Sequence, residues 1–240
     1  MITSEQKVSL TEFLSTKNLP LDLWVEVLDH ISEQVDYKML FENKDFNTAF
    51  SETKISWQDD LKMNRHFAWE KSRTKIYRET VWNSNIEVGK KSLFYFTFYF
   101  IISIGLMLYN KTIASSFVFT IYCFAVIVFL VYFIFNYKII RTVAGNRMKK
   151  DISYMQGATQ LFQMSSIFII TMVLFNFESR FDKYYNFISG LKSNFHLTQV
   201  GVGSFIIFNL FALVWIYGFL YFQQYKKSIK YLQQKINLKL

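Results

Sequence analysis

Cysteine, proline and late acidic residues are what this chain has least of. It holds one cysteine, Cys123, which excludes an intramolecular disulfide framework. It holds one proline, Pro20, alongside 52% hydrophobic and 20% aromatic residues, which excludes an ordinary soluble globular composition. After residue 91 the only acids are Asp151, Glu178 and Asp182, against 14 Lys and Arg, so that part is net +11. Residues 1–91 carry 13 basic and 15 acidic side chains, net −2. The glycines exclude two further devices. No two of them are four apart, as a glycophorin-type packing face requires, and Gly89-Lys90 lacks the glycine five residues earlier that a Walker A loop needs.

The groups that carry chemistry are also missing. His30, His66 and His196 are widely separated, and His66 with Glu70 supplies only two ligands at helical spacing. Gly201-Val-Gly-Ser204 lacks the trailing glycine of a nucleophile elbow. The apolar runs contain no ionisable side chain, which ion or proton coupling within a membrane usually needs. The expectation is a protein that is not an enzyme, with no catalytic residue, no metal and no cofactor.

Long uncharged runs are what the chain does have. Residues 92–110 run 19 residues without a charge, about the ~20 a helix needs to cross a bilayer. Lys111 interrupts, and residues 112–137 follow, so the two must form an antiparallel hairpin. Further spans are expected at about 158–177 and 202–222, giving four within residues 92–225. Basic residues resist translocation. Lys90 and Lys91, then Lys138, Arg141, Arg147, Lys149 and Lys150, then Lys226 and Lys227 at the head of the basic tail 226–240, flank one side of these spans. They predict both termini on the cytoplasmic side and basic side chains against lipid headgroups. The opening residues mix charge and apolar side chains without a cleavable signal pattern, so the first span is expected to direct insertion.

Between the last two spans, Phe181, Tyr184 or Tyr185, Ile188 and Leu191 recur at helical spacing. They predict a short helix, either an interfacial anchor or a lid. In the tail, Ile229, Leu232 and Ile236 share a face, a basic amphipathic extension of the last span that anionic lipid would attract. Ser165, Thr171 and Asn209 are polar residues inside the spans, suited either to interhelical hydrogen bonds or to a transport pathway.

Residues 1–91 show helical patterning throughout and no strand alternation. A first helix is expected from the capping box Thr3–Gln6 or from Ser9–Glu12, carrying Leu10, Phe13 and Leu14 and ending at Asn18. Pro20 then fits the first turn of a second helix. Its stripe of Leu21, Trp24, Leu28, Ile31, Val35 and Met39, with Phe50 from a third helix capped by Asp45, predicts a core of Trp24, Leu28, Ile31, Val35 and Phe50. Asn43 suits the left-handed turn position between them. A fourth helix is expected from Ser56 towards the membrane. The basic segment 62–91, with Trp69, Tyr77 and Trp82, would suggest nucleic acid in a soluble protein. Placed before a span, it fits the headgroup zone instead, at ~1 kcal/mol per Lys or Arg.

The run Leu28-Asp-His-Ile-Ser-Glu-Gln-Val-Asp-Tyr-Lys-Met39, with Phe46-Asn-Thr-Ala-Phe50 and Trp57-Gln-Asp-Asp-Leu61, resembles the HAAS-type helical domain that precedes membrane spans in bacterial integral membrane proteins and some permeases. The resemblance covers roughly residues 5–61 and departs from the commonest pattern in lacking a glycine at Phe41–Lys44. It implies a regulatory or interaction module without catalytic residues, in a multi-pass protein of the bacterial cytoplasmic membrane. The expected architecture is all-α, an N-terminal cytoplasmic helical bundle followed by a four-helix transmembrane domain. The expected function is protein interaction or regulation of a membrane system, with a channel or permease subunit that oligomerises as the alternative. Membrane lipids, with either a protein partner or further copies of the chain, are the expected partners, and nucleic acid is not.

Overall fold

In the computed structural model, which describes residues 2–65, 72–145, 151–193 and 199–236, the chain is all-α apart from one two-residue β ladder. It divides into two compact units. Unit 1 comprises residues 1–85, 144–156 and 227–239, and unit 2 comprises 86–143 and 157–226.

Unit 1 starts with α1 (Ser4–Ser15), opened by the Thr3–Gln6 capping box: Thr3 Oγ1 accepts from the Gln6 amide and Gln6 Oε1 from the Thr3 amide. Asn18 takes φ 49°, reversing the chain into α2 (Leu21–Phe41). Pro20 is the residue before that helix rather than its first turn, and its side chain caps nothing. Asn43 takes φ 53°, the left-handed position expected of it, and Asp45 then caps α3 (Phe46–Ser56) by accepting from the Asn47 and Thr48 amides. A side chain with a Cβ is strained at positive φ unless it bonds locally as Asn does. Asn43→Ala is expected to cost unit 1 about 1 kcal/mol and Asn43→Gly nearly nothing. Thermal midpoints of the two variants check this, and equal losses would contradict it.

The expected fourth helix from Ser56 is not formed. Ser56 ends α3, the chain turns through Trp57–Leu61, and β1 (Met63–Asn64) pairs antiparallel with β2 (Arg73–Thr74) before α4 begins at Lys75. The turn seals the core, since Leu61 is fully buried and Trp57 packs against it. His66, Trp69 and Glu70 lie outside the described residues.

The core of unit 1 also differs from the expected stripe. Leu10 and Leu14 of α1, Ala49 and Phe50 of α3, and Leu23, Val27, Ile31 and Val35 of α2 form it, with Trp24 and Leu28 only half-buried at its edge. The α2 residues step by four along one face. A second face of the same helix is covered too, because Asp22 and Val25 are buried. A helix packed on both sides presents two stripes, and the apolar residues Leu21, Trp24 and Leu28 fall at the margin.

Unit 2 is built from the membrane-type helices: α4 (Lys75–Tyr109), whose residues from Ile86 belong to it, α5 (Lys111–Phe135), α6 (Tyr137–Gly145), α7 (Ala158–Phe175), α8 (Phe177–Ser193) and α9 (Gln199–Ile236). Asparagine stands at three of the breaks between these helices. Asn110 separates α4 from α5 and caps α5 by accepting from the Thr112 and Ile113 amides, while Asn136 and Asn176 end α5 and α7. Among the described residues three helices, α4, α5 and α9, are long and apolar enough to cross a membrane. The third expected span turns by 97° at Asn176 into α8, and the bent pair is a fourth span if taken as one. Of the buried stripe of α5, Ala114, Val118, Tyr122 and Ala125 share a core with Ile169 and Met172 of α7, with Phe177, Phe181, Tyr184 and Ile188 of α8, and with Phe208 of α9. The helical spacing expected in 178–200 is therefore real, and protein covers its apolar face. Leu191 is the exception, more than a third exposed. At Gly218 the backbones of α9 and α7 nearly touch, and a Cβ there would lie 2.9 Å from the Phe162 amide nitrogen.

Candidate functional site: a three-segment junction at Asp22

The second covered face of α2 is the most distinctive polar feature of unit 1. Because Pro20 caps nothing, the first amides of α2 need acceptors from elsewhere. Residues distant in sequence provide them: the Leu21 amide donates to the Asp151 carbonyl at 3.0 Å and the Asp22 amide to the Ile152 carbonyl at 3.1 Å. The Asp22 carboxylate, 7% exposed, accepts from the Leu23 amide at 2.8 Å and from Ser228 Oγ at 2.8 Å. Ser153 Oγ and the Tyr154 amide also bond to it. Ser228 Oγ lies 3.4 Å from Ser153 Oγ, and Ser153 Oγ accepts from the Met155 amide. One buried carboxylate thus gathers α2, the segment between α6 and α7, and the end of α9.

Further contacts extend the junction. Arg73 Nη2 meets Asp151 Oδ2 at 2.7 Å, its Nη1 donates to the Asn18 carbonyl at 3.2 Å, and the guanidinium lies 4.7 Å from the Tyr77 ring. Asp151, one of three acids in the basic part of the chain, is therefore the partner of a specific arginine. Two turns along, Lys235 pairs with Asp29 at 2.8 Å, which raises the lysine's affinity for its proton. Contacts 22–228 and 29–235 advance together along both helices, so the end of α9 lies parallel to α2. Val25 is on this face of α2, and Ile229 and Leu232 of α9 are fully buried. The tail stripe is accordingly packed into unit 1, and only Ile236 remains exposed at 40%.

Burial pushes the Asp22 carboxyl above its ordinary value of 3.8, and its hydrogen bonds offset only part of that cost. Between 3.8 and the raised value the folded form holds a proton that the unfolded chain has lost, so stability falls as pH rises through this window. Asp22→Asn keeps an acceptor and is expected to flatten that slope. Urea midpoints of both proteins from mildly acidic to neutral pH test it, and parallel curves would refute the assignment. The Lys38 and Lys44 pairs with Glu52, at 2.6 Å each, pull the Glu52 carboxyl below its usual range, but these half-buried pairs remain open to solvent and contribute little to stability.

The other expected site residues are dispersed. In unit 1, Ile31, Val35 and Phe50 are in the core, with Trp24 and Leu28 at its edge. In unit 2, Ser165 is buried and donates to carbonyls of its own helix at Leu161 and Phe162. Thr171 is exposed and bonds back to Phe168. Asn209 is buried, and its Nδ2 donates to the Tyr184 hydroxyl at 3.2 Å and the Phe205 carbonyl at 2.8 Å. All three side chains thus bond within their own helix, and Asn209 in addition joins α9 to α8. Lys90, Lys91, Arg141 and Lys227 are exposed and Lys226 is half-buried. Arg147, Lys149 and Lys150 lie outside the described residues, as does His196. His30 is exposed with Nδ1 3.8 Å from Glu33, and no group of three His, Cys, Asp or Glu side chains that could hold a metal occurs among the described residues.

Set against known protein families, curated proteins and solved structures, the chain finds no match in any of the three. Its own fold is all-α apart from the two-residue ladder, with three helices among the described residues long and apolar enough to cross a membrane, or four if the bent pair is one span, which is compatible with a multi-pass membrane protein.

Proposed function

We propose that this is a non-enzymatic regulatory or adaptor protein of the bacterial cytoplasmic membrane, with unit 1 and both termini on the cytoplasmic side and a protein partner bound by unit 1. The observation that carries this reading is the Asp22 junction. Unit 1 is closed by three segments of chain, and each runs on into an apolar helix: 1–85 into the rest of α4, 144–156 between α6 and α7, and 227–239 from α9. A domain assembled in this way holds together only while the ends of those helices are in register, so it is suited to bind or release a partner as they shift. The basic residues flanking the spans support the orientation, and the likeness to HAAS-type domains in residues 5–61 supports the interaction role. The channel alternative draws no support from Ser165 and Thr171, whose hydroxyls bond to their own helix.

The test is extraction of the tagged full chain from its native membrane in mild detergent, followed by native mass spectrometry. The reading predicts a stoichiometric foreign protein subunit, lost when Asp22→Ala opens the junction. A homo-oligomer with no foreign subunit would overturn it.

A further inference from the structure

The lysines of unit 1 divide into two kinds. Residues 1–61 carry five basic and twelve acidic side chains, so a lysine there has carboxylates in excess around it. Lys38 and Lys44 take them, meeting Glu52 at 2.6 Å each and, for Lys44, Glu42 at 2.7 Å. Lys17 and Lys54 do not, and neither does Lys62 just beyond. Among the described residues these three ammonium groups have no carboxylate partner and donate no hydrogen bond. They converge instead on one cleft of about 400 Å3.

Three separate pieces of chain bring them there: Lys17 follows the end of α1, Lys54 sits in the last turn of α3, and Lys62 is in the turn before β1. Phe13 lies between the first two. Lys17 Nζ is 5.2 Å and Lys54 Nζ 5.5 Å from the centroid of its ring, and Lys54 Nζ is also 3.8 Å from that of Phe50. The negative ends of α1 and α3 account for a cation at each, but Lys62 belongs to no helix. The rings attract the ammonium groups without neutralising them, so like charges gathered round one concavity still repel. Asp59 is the one acid in the lining, and the cleft is therefore net +2.

A phosphomonoester carries about −1.5 to −2 at neutral pH and presents three strong acceptor oxygens. Three ammonium donors with a surplus of two positive charges match it in both number and charge, whereas a carboxylate or a phosphodiester leaves a charge uncompensated. Phe13, Leu61 and Met63 supply an apolar part of the lining for the organic remainder of such a ligand. The volume falls within the ~300–1,000 Å3 of small-molecule sites.

We infer that unit 1 binds the phosphomonoester group of a small organic ligand, the dianion held by Lys17, Lys54 and Lys62 and the apolar part against Phe13. Such a group reaches the cleft on a soluble metabolite or as the headgroup of a phosphomonoester lipid. The inference stands apart from the Asp22 junction and from the protein partner of unit 1.

Calorimetric titration of the full chain in phosphatidylcholine nanodiscs with phenyl phosphate tests it. One site per chain is expected, binding at least tenfold tighter than benzoate, which has the ring but a single charge, and weakening as salt is raised. Lys54→Gln and Lys62→Gln should each weaken phenyl phosphate at least fivefold, whereas Lys7→Gln, the same change of charge on α1 away from the cleft, should leave it unaltered. All three positions are exposed, and thermal midpoints equal to that of wild type verify that the variants are folded. Nanodiscs with an equal part of phosphatidic acid, a phosphomonoester lipid, separate the two sources: competition with phenyl phosphate assigns the lipid, and its absence assigns a soluble ligand. Phosphatidylglycerol, a phosphodiester, should not compete in either case. No binding of phenyl phosphate, benzoate bound as tightly, phosphatidylglycerol competing as well as phosphatidic acid, or undiminished binding in either folded cleft variant would overturn the inference.

Discussion

Val27→Asp is expected to unfold unit 1 while leaving the apolar helices in the membrane. Val27 is 1% exposed, on the face of α2 that meets α1 and α3, between Leu23 and Ile31. The substitution removes a packed side chain and places a carboxylate where no cation or water can reach it. Such changes belong to the rare class costing more than about 4 kcal/mol, against a total stability for an ordinary domain of about 5–15 kcal/mol. Limited proteolysis of membranes should then cut residues 1–85 rapidly, while alkaline extraction still leaves the chain in the pellet. Leu28→Asp is expected to cost clearly less, because Leu28 sits at the half-exposed edge and a carboxylate there can turn to water. If Leu28→Asp proved the more damaging, the core would be the Trp24–Leu28 stripe rather than Leu23–Val27.

The second large effect is expected at Gly218→Leu. Three backbone atoms of α7 crowd the position where a Cβ would stand: the Phe162 nitrogen at 2.9 Å, its Cα at 3.0 Å and the Leu161 carbonyl carbon at 3.3 Å. A flexible side chain could yield to a new methyl group, but helix backbone cannot, so α9 and α7 must separate. The separation loosens the rings packed about Phe162, which stacks on Phe222 at 5.5 Å and meets Phe129 and Trp215 at 5.5 and 5.9 Å. Overpacking usually costs 1–3 kcal/mol, and a backbone-to-backbone clash is expected at about 3 kcal/mol or more. Gly218→Ala should show a smaller loss of the same sign. The thermal midpoint of the detergent-solubilised protein reports it, and a Gly218→Leu variant as stable as wild type would show that the helices do not approach so closely. Gly218 has no second glycine at four-residue spacing. In a membrane, small residues matter by letting backbones meet, and a lone one gives no repeat to detect.

Signals that act within a few residues were legible in the sequence. The Thr3 capping box, the Asp45 cap, the left-handed Asn43, the α4–α5 hairpin at Asn110 and the helical spacing of Phe181, Tyr184 and Ile188 all depend on local chemistry. What stayed hidden depends on contacts between distant segments. One-sided periodicity cannot show that α2 is covered on two faces, so Leu23, Val25 and Val27 escape while Trp24 and Leu28 look central. Nor can it reveal the turn after Ser56, where Leu61 is drawn back into the core. The tail stripe of Ile229 and Leu232 fits lipid and protein equally well as a pattern, and tertiary packing decides for protein. The junction is the extreme case: Ser228 is 206 residues from Asp22, and Asp151 is 78 from Arg73. Only the rarity of acids in the basic part of the chain hinted that Asp151 had a specific partner.

The central claim is that the end of α9 and the segment before α7 close on the start of α2. Ser153 and Ser228, with hydroxyls 3.4 Å apart, allow a direct measurement. In a Cys123→Ser background, Ser153→Cys and Ser228→Cys place two sulfurs where a small rotation brings them to the bond length of about 2 Å. Mild oxidation of native membranes should join the two positions within one chain nearly completely, seen as a disulfide-linked peptide pair by mass spectrometry and as a reducible mobility shift. Failure to cross-link, or cross-links only between separate chains, would contradict the junction and the regulatory reading that rests on it.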